Sequence, residues 1–252
     1  MSTLSVARVS VVIPCYNYAL YLPDAIRSVV AQTRPVEEVI VVDDGSTDAT
    51  AAVARQWEHA GVVYVRQENA GPSVARNTGA GRASGDYIIF LDADDLLAPT
   101  YVERCLAALA AAPGAGYAYT QWRTFGTEEQ VSRFPAFSPR AILEDNYVHV
   151  SALVRAELVR AHPFFVGMHY WEDWDFYLAL LDEGIGGVLV DEPLLLYRKH
   201  PGSSMTIDAV VGRTRTRYRW RWLLVRRHPR MLWPQLARMA HKAWGKLEHP
   251  RR

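Results

Sequence analysis

The sequence predicts an α/β fold. A parallel sheet covered by helices comes first, a less regular half with mixed strands follows, and a basic helical extension closes the chain. Three observations carry this. Over residues 1–112, short apolar runs rich in β-branched residues alternate with stretches at helical spacing. Those runs are four or five residues long, which suits strands buried on both faces. Two acidic clusters fall where such strands end, and open α/β sheets bind their ligands there.

The elements follow in order. Val9 to Ile13 forms a first strand, ended by Pro14. Leu22, Ala25, Ile26, Val29 and Val30 recur on one helical face. Val39 to Val42 is a second strand, broken by Asp43-Asp44-Gly45-Ser46; Ser46 or Thr47 can cap a helix over Ala49 to Glu58. Val62 to Val65 is a third strand, and Pro72 stands near the first turn of a helix to Ala83. Tyr87 to Leu91 is a fourth strand, broken by Asp92-Ala93-Asp94-Asp95, and Pro99 opens a helix through Ala111. Further on, Gly116 to Phe125 and His149 to Arg155 read as strands and Trp171 to Asp182 as a helix. Gly187 to Val190 and Leu194 to Arg198 read as two short strands, so that mixed strands close one side of a cleft.

The chain has 252 residues, half of them hydrophobic and 22% charged, a balance that excludes a wholly disordered protein. Its net charge of +1 hides a split. Residues 205–252 carry 13 Lys and Arg against 2 Asp and Glu, together with four of the eight tryptophans, so the body is acidic. In that extension Arg213, Arg215, Arg217, Arg219 and Arg221 alternate with other residues, which is strand-like. A helix is preferred, because Val211, Thr214, Tyr218, Trp222 and Val225 line up as one stripe on it. Pro229 ends that helix, and a second is expected from Pro234 to Lys246. Two cysteines, Cys15 and Cys105, give neither a disulfide framework nor a zinc spacing. No apolar run is long enough to span a membrane, and the first residues read as a strand rather than a signal peptide. A reducing, cytoplasmic setting is the simple reading.

Three clusters can carry chemistry. Asp92 and Asp94, two apart beyond a strand, can offer oxygens to one hard cation, and Mg²⁺ and Mn²⁺ are commonly shared with substrate phosphates. Asp43 and Asp44 precede a turn and a cap; the turn explains Gly45 and Ser46 but not two adjacent acids, which can accept hydrogen bonds from a nucleobase or ribose. Glu172, Asp173 and Asp175 begin a helix, where acids suit the dipole; between Trp171 and Trp174, burial would also raise a carboxylate toward the range of a general base. His200, in Tyr197-Arg198-Lys199-His200-Pro201-Gly202, is a candidate metal ligand or phosphate contact. Gly79-Ala80-Gly81-Arg82-Ala83-Ser84 imitates a dinucleotide fingerprint but follows a helix and precedes a strand, the wrong order.

The order of these motifs resembles family 2 glycosyltransferases, which have the GT-A fold, a Rossmann-like nucleotide-binding half joined to a mixed central sheet. The resemblance rests on Val9-Ser10-Val11-Val12-Ile13-Pro14-Cys15-Tyr16-Asn17, on Val41-Val42-Asp43-Asp44-Gly45-Ser46-Thr47-Asp48 and on Asn69-Ala70-Gly71-Pro72-Ser73-Val74-Ala75-Arg76-Asn77. It continues through Phe90-Leu91-Asp92-Ala93-Asp94-Asp95, Trp171-Glu172-Asp173-Trp174-Asp175 and Tyr197-Arg198-Lys199-His200. It implies a transferase domain over residues 1–204, with a nucleotide-sugar half at 1–112, an acceptor half at 113–204 and an extension at 205–252. It also implies transfer of one sugar, with inversion, from a UDP-, GDP- or dTDP-linked donor to a glycan or lipid-linked acceptor, in cell-surface glycan or glycoconjugate synthesis. Pro14, Tyr16, Asn17 and Asp44 would line the donor's base, Arg76 would orient the acids or meet phosphate, and Asp92 and Ala93 would face the donor. Asp94, His200 and Asp92 would hold Mg²⁺ or Mn²⁺, and Asp173 would be the general base. Arg217 to Trp222 lacks the Gln that precedes Arg-Trp in the family's processive synthases, so single addition is expected.

Two rival functions remain. A nucleotidyltransferase would need a Gly-rich basic loop after the first strand, and Pro14-Cys15-Tyr16-Asn17 is neither. A non-catalytic sugar-nucleotide module would not need the full set of acids. For the extension, contact with the inner face of an anionic membrane and docking on the acidic body both fit an amphipathic basic helix, and no nucleic-acid fold accompanies it.

Overall fold

The structure is a computed structural model, and it describes residues 7–168, 170–201 and 214–237. Its first half follows the alternating pattern: β1 (Val9–Cys15), α1 (Leu22–Val30), β2 (Glu38–Asp43), α2 (Thr50–Arg55), β3 (Val62–Arg66), α3 (Pro72–Arg82), β4 (Tyr87–Phe90), β5 (Leu96–Leu97) and α4 (Tyr101–Ala111). Next come β6 (Ala115–Gly126), β7 (Gln130–Ser132), α5 (Pro139–Glu144), β8 (Leu153–Arg155), α6 (Ala156–Ala161), α7 (Glu172–Asp182), β9 (Gly186–Lys199) and α8 (Thr214–Arg227).

The nine strands among the described residues join one mixed sheet in the order β3-β2-β1-β4-β8-β6-β9-β5, with β7 on β6. The first four of that order are parallel, as their βα alternation requires. β8 turns the sheet by pairing antiparallel to both β4 and β6. Successive side chains on a strand leave by opposite faces, so β1 feeds two cores. Val12 joins Ile40, Val42 and Phe90 under α3, α6 and α7; Val11 and Ile13 join Val41, Ile89 and residues of α1 and α4. α3 lies so close to β1 that a Cβ on Gly79 would sit 2.2 Å from Val12 Cγ1.

The second half differs from the expectation in three ways. Gly187–Val190 and Leu194–Arg198 are one 14-residue strand, because Asp191 and Glu192 bulge out opposite Thr120 and Gln121 while pairing to β6 resumes at Pro193. Of His149–Arg155 only Leu153–Arg155 is strand; the His149 carbonyl and Nδ1 instead accept the amides of Ala152 and Ser151, which closes a turn. β5, β7, α5 and α6 have no counterpart in the reading above, being two to six residues long, too short for a periodicity to show.

In the extension the helix forms, but on another face. Trp222 is 57% exposed, whereas Leu224 and Met231 are fully buried and His228 and Gln235 nearly so. With Arg221, this inward stripe is spaced 3, 4, 3 and 4 residues apart; of the stripe expected from the sequence, Trp222 points outward, Val225 packs against the core, and Val211 and the side chains of Thr214 and Tyr218 lie outside the described residues. A 3-10 turn, Pro229–Met231, separates α8 from helical residues 232–237. The rest of the expected second helix, and residues 205–213, lie outside the described residues. No helix among the described residues is long and apolar enough to cross a membrane.

Candidate active site

The carboxyl ends of β1, β2 and β4 open on the same side, and the loops that leave them build the site. On the β2 side, Asp43 is wholly buried and accepts hydrogen bonds from Tyr64 Oη (2.5 Å), Arg66 Nη1 (3.0 Å) and the Ser46 amide (2.7 Å). These donors hold its pKa below the usual carboxylate range despite burial. Asp43 therefore fixes the turn. Asp44 accepts from Gln67 Nε2 and from the amides of Ala70 and Gly71 at 2.7–2.9 Å, so it holds the loop that starts α3. Asn17 has a left-handed backbone, φ 58°, and its Oδ1 accepts the Thr47 amide at 2.8 Å. Tyr16, 46% exposed, and the half-buried Pro14 stand at the carboxyl end of β1 beside this turn.

Arg76 on α3 is the central cation. It is 4% exposed, donates from Nη2 to Asp92 Oδ1 (3.0 Å) and from Nη1 to Glu172 Oε1 (2.7 Å), and lies over the Phe164 ring. Two carboxylates outweigh its desolvation and raise its pKa further. This fork ties α3 to the β4 loop 16 residues on and to α7 96 residues on, and replacing Arg76 would leave the mostly buried Glu172 carboxylate unpaired, a loss of about 3–5 kcal/mol. Ala93, between the two acids, is buried.

β9 ends beside the same loop. It delivers His200, whose Nε2 lies 3.0 Å from Asp94 Oδ2, with the rings of Tyr21 and Tyr18 packed against the imidazole. Arg198 donates its amide to Asp95 Oδ1 (2.9 Å) and its Nε to the Asp94 carbonyl (2.8 Å), so β9 locks the acidic loop in place. Burial first, and the neighbouring Asp92 charge second, raise the pKa of Asp94. Asp95 is buried deeper and its Oδ2 has no hydrogen-bond partner, although His149 Nε2 stands 4.0 Å away. Ligand atoms of Asp92, Asp95 and His149 lie within 4.8 Å of one another. Burial lowers the pKa of His149 to about 4, so it is a neutral imidazole.

These donors suit a divalent cation. Carboxylate oxygens dominate, one or two imidazoles join them, and a buried carboxylate oxygen lacks a partner. His149 had no signal in the sequence beyond being a histidine in an apparent strand. Asp95 was visible only as a third acid in the loop.

Asp173 lies in the first turn of α7, after Trp171 in a left-handed conformation, φ 64°. Its Oδ1 accepts the Trp174 amide at 2.8 Å, and the nearby Asn146 side chain works against the rise of its pKa. Burial first, then the charge of Glu172, raise its pKa to about 7, the range of a working general base. The site thus gathers Arg76, Asp92, Asp94, His200 and Asp173 around one loop and one helix end, while Asn17 and Asp44 brace the adjoining turn.

A family model described as glycosyl transferase family 2 matches residues 10–157, more than half the chain. The chain belongs to that family. Among curated relatives, the glycosyltransferase GlyA of Streptococcus pneumoniae is 41% identical over 98 residues, 38% of this chain and 14% of its own length. Validoxylamine A glucosyltransferase of Streptomyces hygroscopicus is 45% identical over 114 residues, 43% of this chain and 27% of its own. The chain therefore spans less than a third of the length of either. Two solved structures share the fold. S. aureus TarS 1-349 in complex with UDP-GlcNAc superposes with a TM-score of 0.68 at 21% identity, covering 79% of this chain and 60% of that one. Glucosyl-3-phosphoglycerate synthase from Mycobacterium tuberculosis, in complex with Mn²⁺, UDP and glucosyl-3-phosphoglycerate, gives 0.64 at 20% identity, covering 88% and 80%. The architecture of this family 2 chain is the GT-A fold. The family match ends before α7, so Asp173 lies beyond it.

Proposed function

We propose that this chain transfers a single sugar, with inversion, from a nucleoside-diphosphate sugar to an acceptor hydroxyl. The observation that carries the reading is a half-buried carboxyl, Asp173, with a pKa raised to about 7 beside the Arg76 fork. Asp173 takes the proton of the acceptor hydroxyl; the electron pair of that O–H bond attacks the anomeric carbon, and the bond to the diphosphate breaks on the opposite face. One base and one displacement need no covalent intermediate. Asp94, His200 and Asp92 are the residues that would hold Mg²⁺ or Mn²⁺, which supplies positive charge to the departing diphosphate. Pro14, Tyr16, Asn17 and Asp44 take the base and ribose end of a UDP-, GDP- or dTDP-linked donor, and Ala93 lets the donor lie close to the acidic loop.

The transferase unit is residues 1–204, divided near residue 112, and 205–252 is its extension. The acceptor is a glycan or a lipid-linked saccharide in surface glycan synthesis, used on the cytoplasmic side of the membrane. The outward face of the extension supports peripheral lipid contact. Trp222 and Trp233 are 57% and 76% exposed, with Arg219 and Arg226 also exposed; Trp222 is two residues from the inward Leu224 and so about 200° around the helix.

The test is release of nucleoside diphosphate from a panel of sugar nucleotides by the parent and by Asp173→Asn. The variant is expected to lose transfer while its thermal shift with donor persists. A variant that also loses donor binding would refute the role of Asp173. Donor binding by the parent with no transfer to any acceptor favours a non-catalytic module.

A further inference from the structure

We infer that the C-terminal helical segment, from Arg221 to Gln235, belongs to the catalytic apparatus as the clasp that positions Asp173; the inference rests on the role proposed for Asp173. The Trp174 amide of its own helix turn bonds that carboxyl, and the side chain of Asn146 faces it closely enough to oppose the rise of its pKa. The segment fastens the elements that carry both. Asn146 follows two residues after the end of α5, whose last carbonyls are capped from the segment. Gln235 Nε2 donates to the Leu143 and Glu144 carbonyls (2.5 and 3.1 Å), and Arg221 Nη2 donates to the Glu144 carbonyl (3.3 Å).

The first turn of α7 is held from the same side. The Arg221 guanidinium lies over both indoles that flank Asp173, 5.6 Å from the Trp171 ring centre and 5.5 Å from that of Trp174. Asp175, two residues further on and 2% exposed, accepts from Arg227 Nε (2.5 Å) and Nη2 (3.1 Å) and from His228 Nε2 (3.0 Å). His228 Nδ1 reaches Asp182 at 2.6 Å, so both ring nitrogens face carboxylates and both must donate. The imidazolium thereby pins two turns of α7 at once, and Arg230 caps the helix end through the Leu181 carbonyl (3.0 Å). Leu224 and Met231, fully buried, supply the apolar floor. None of these contacts falls on the acidic loop of Asp92 to Asp95, so the segment acts from the acceptor side.

The clasp is tested in the full chain with Arg221→Met/Gln235→Met, which removes the cation and the amide donor but keeps apolar bulk. Arg221→Lys serves as the conservative rescue of the cation. Expected are a kcat lowered about tenfold or more with an unchanged donor KM, faster hydrogen exchange at the amides of residues 172–176, and substantial recovery of both in Arg221→Lys. Unchanged kcat and exchange would overturn the inference. So would a parallel loss of kcat and donor affinity, which marks general loosening of the fold. Hydrogen exchange reads the clasp without turnover, so a parent that transfers no sugar would refute the proposed function while the exchange still decides the positioning.

Discussion

Asp173 owes its proton affinity first to burial and second to Glu172, not to the two indoles beside it in the sequence. Trp174 turns its Nε1 away to the Ile142 carbonyl, so the pair of tryptophans packs α7 against α5. The sequence reading offered burial as what would raise a carboxyl in this turn, and the charge of Glu172 is the contribution it left out. Because the folded pKa is about 7, kcat is expected to rise with pH through that value as the base ionises. The stability effect has the opposite sense. A carboxyl raised in the fold adds stability that is fully present below its unfolded pKa and lost as pH rises through about 7. Asp173→Asn should then melt higher than the parent at pH 8 and by a smaller margin at pH 5, the difference vanishing only below the unfolded carboxyl's range, each tenfold gain in proton affinity on folding being worth about 1.4 kcal/mol. Scanning calorimetry at both pH values checks this. At the acidic loop, Asp94→Ala should leave donor binding no longer enhanced by Mn²⁺; a titration as metal-dependent as the parent's would remove Asp94 from the ligand set. Asp95 and His149 were not legible beforehand, because their partnership exists only after residues 54 apart in the chain meet in space.

Elements with their own periodicity were the legible ones. α1 buries four apolar residues on one face, and β1, β2 and β4 are short, mostly apolar runs, so their places could be read directly. The elements missed, β5, β7, α5 and α6, are set by neighbours instead: Leu96 and Leu97 are strand only because β9 runs alongside them. Pro193 marks a turn by local rules, yet tertiary pairing carries β9 through it. Gly79 shows the reverse, a glycine read in sequence only as part of a rejected dinucleotide look-alike, which in the fold fixes how near α3 can lie to β1. Gly79→Ala, despite its better helix propensity, is expected to destabilise the fold by about 1–3 kcal/mol, because the new methyl overlaps Val12. Urea denaturation measures it, and a neutral or stabilising result would mean that α3 shifts freely on the sheet.

For the molecule as a whole, the division between an acidic body and a basic extension left docking and membrane contact as rivals in the sequence. The structure puts docking on one face of the extension, where Arg227 and His228 meet Asp175. Contact with an anionic bilayer is a proposal for the other face. Full-length protein should co-sediment with vesicles of phosphatidylcholine and phosphatidylglycerol, weakly with phosphatidylcholine alone, and less as salt rises. Trp222→Ala/Trp233→Ala should weaken that binding about tenfold or more, and equal binding by the double variant would discard the face.

The route of β9 has a consequence for the order in which the protein is made. Its end returns to the acidic loop 106 residues after Asp94, and Arg198 reaches Asp24 across 174 residues. Contacts of such long sequence separation form late. During synthesis the first βα units can collapse on their own cores, but the acidic loop has no lock until β9 has left the ribosome. An emerging chain therefore passes through a stage with a nearly complete sheet and an unassembled centre, and ribosome-bound lengths ending before residue 200 should be folded in part and inert.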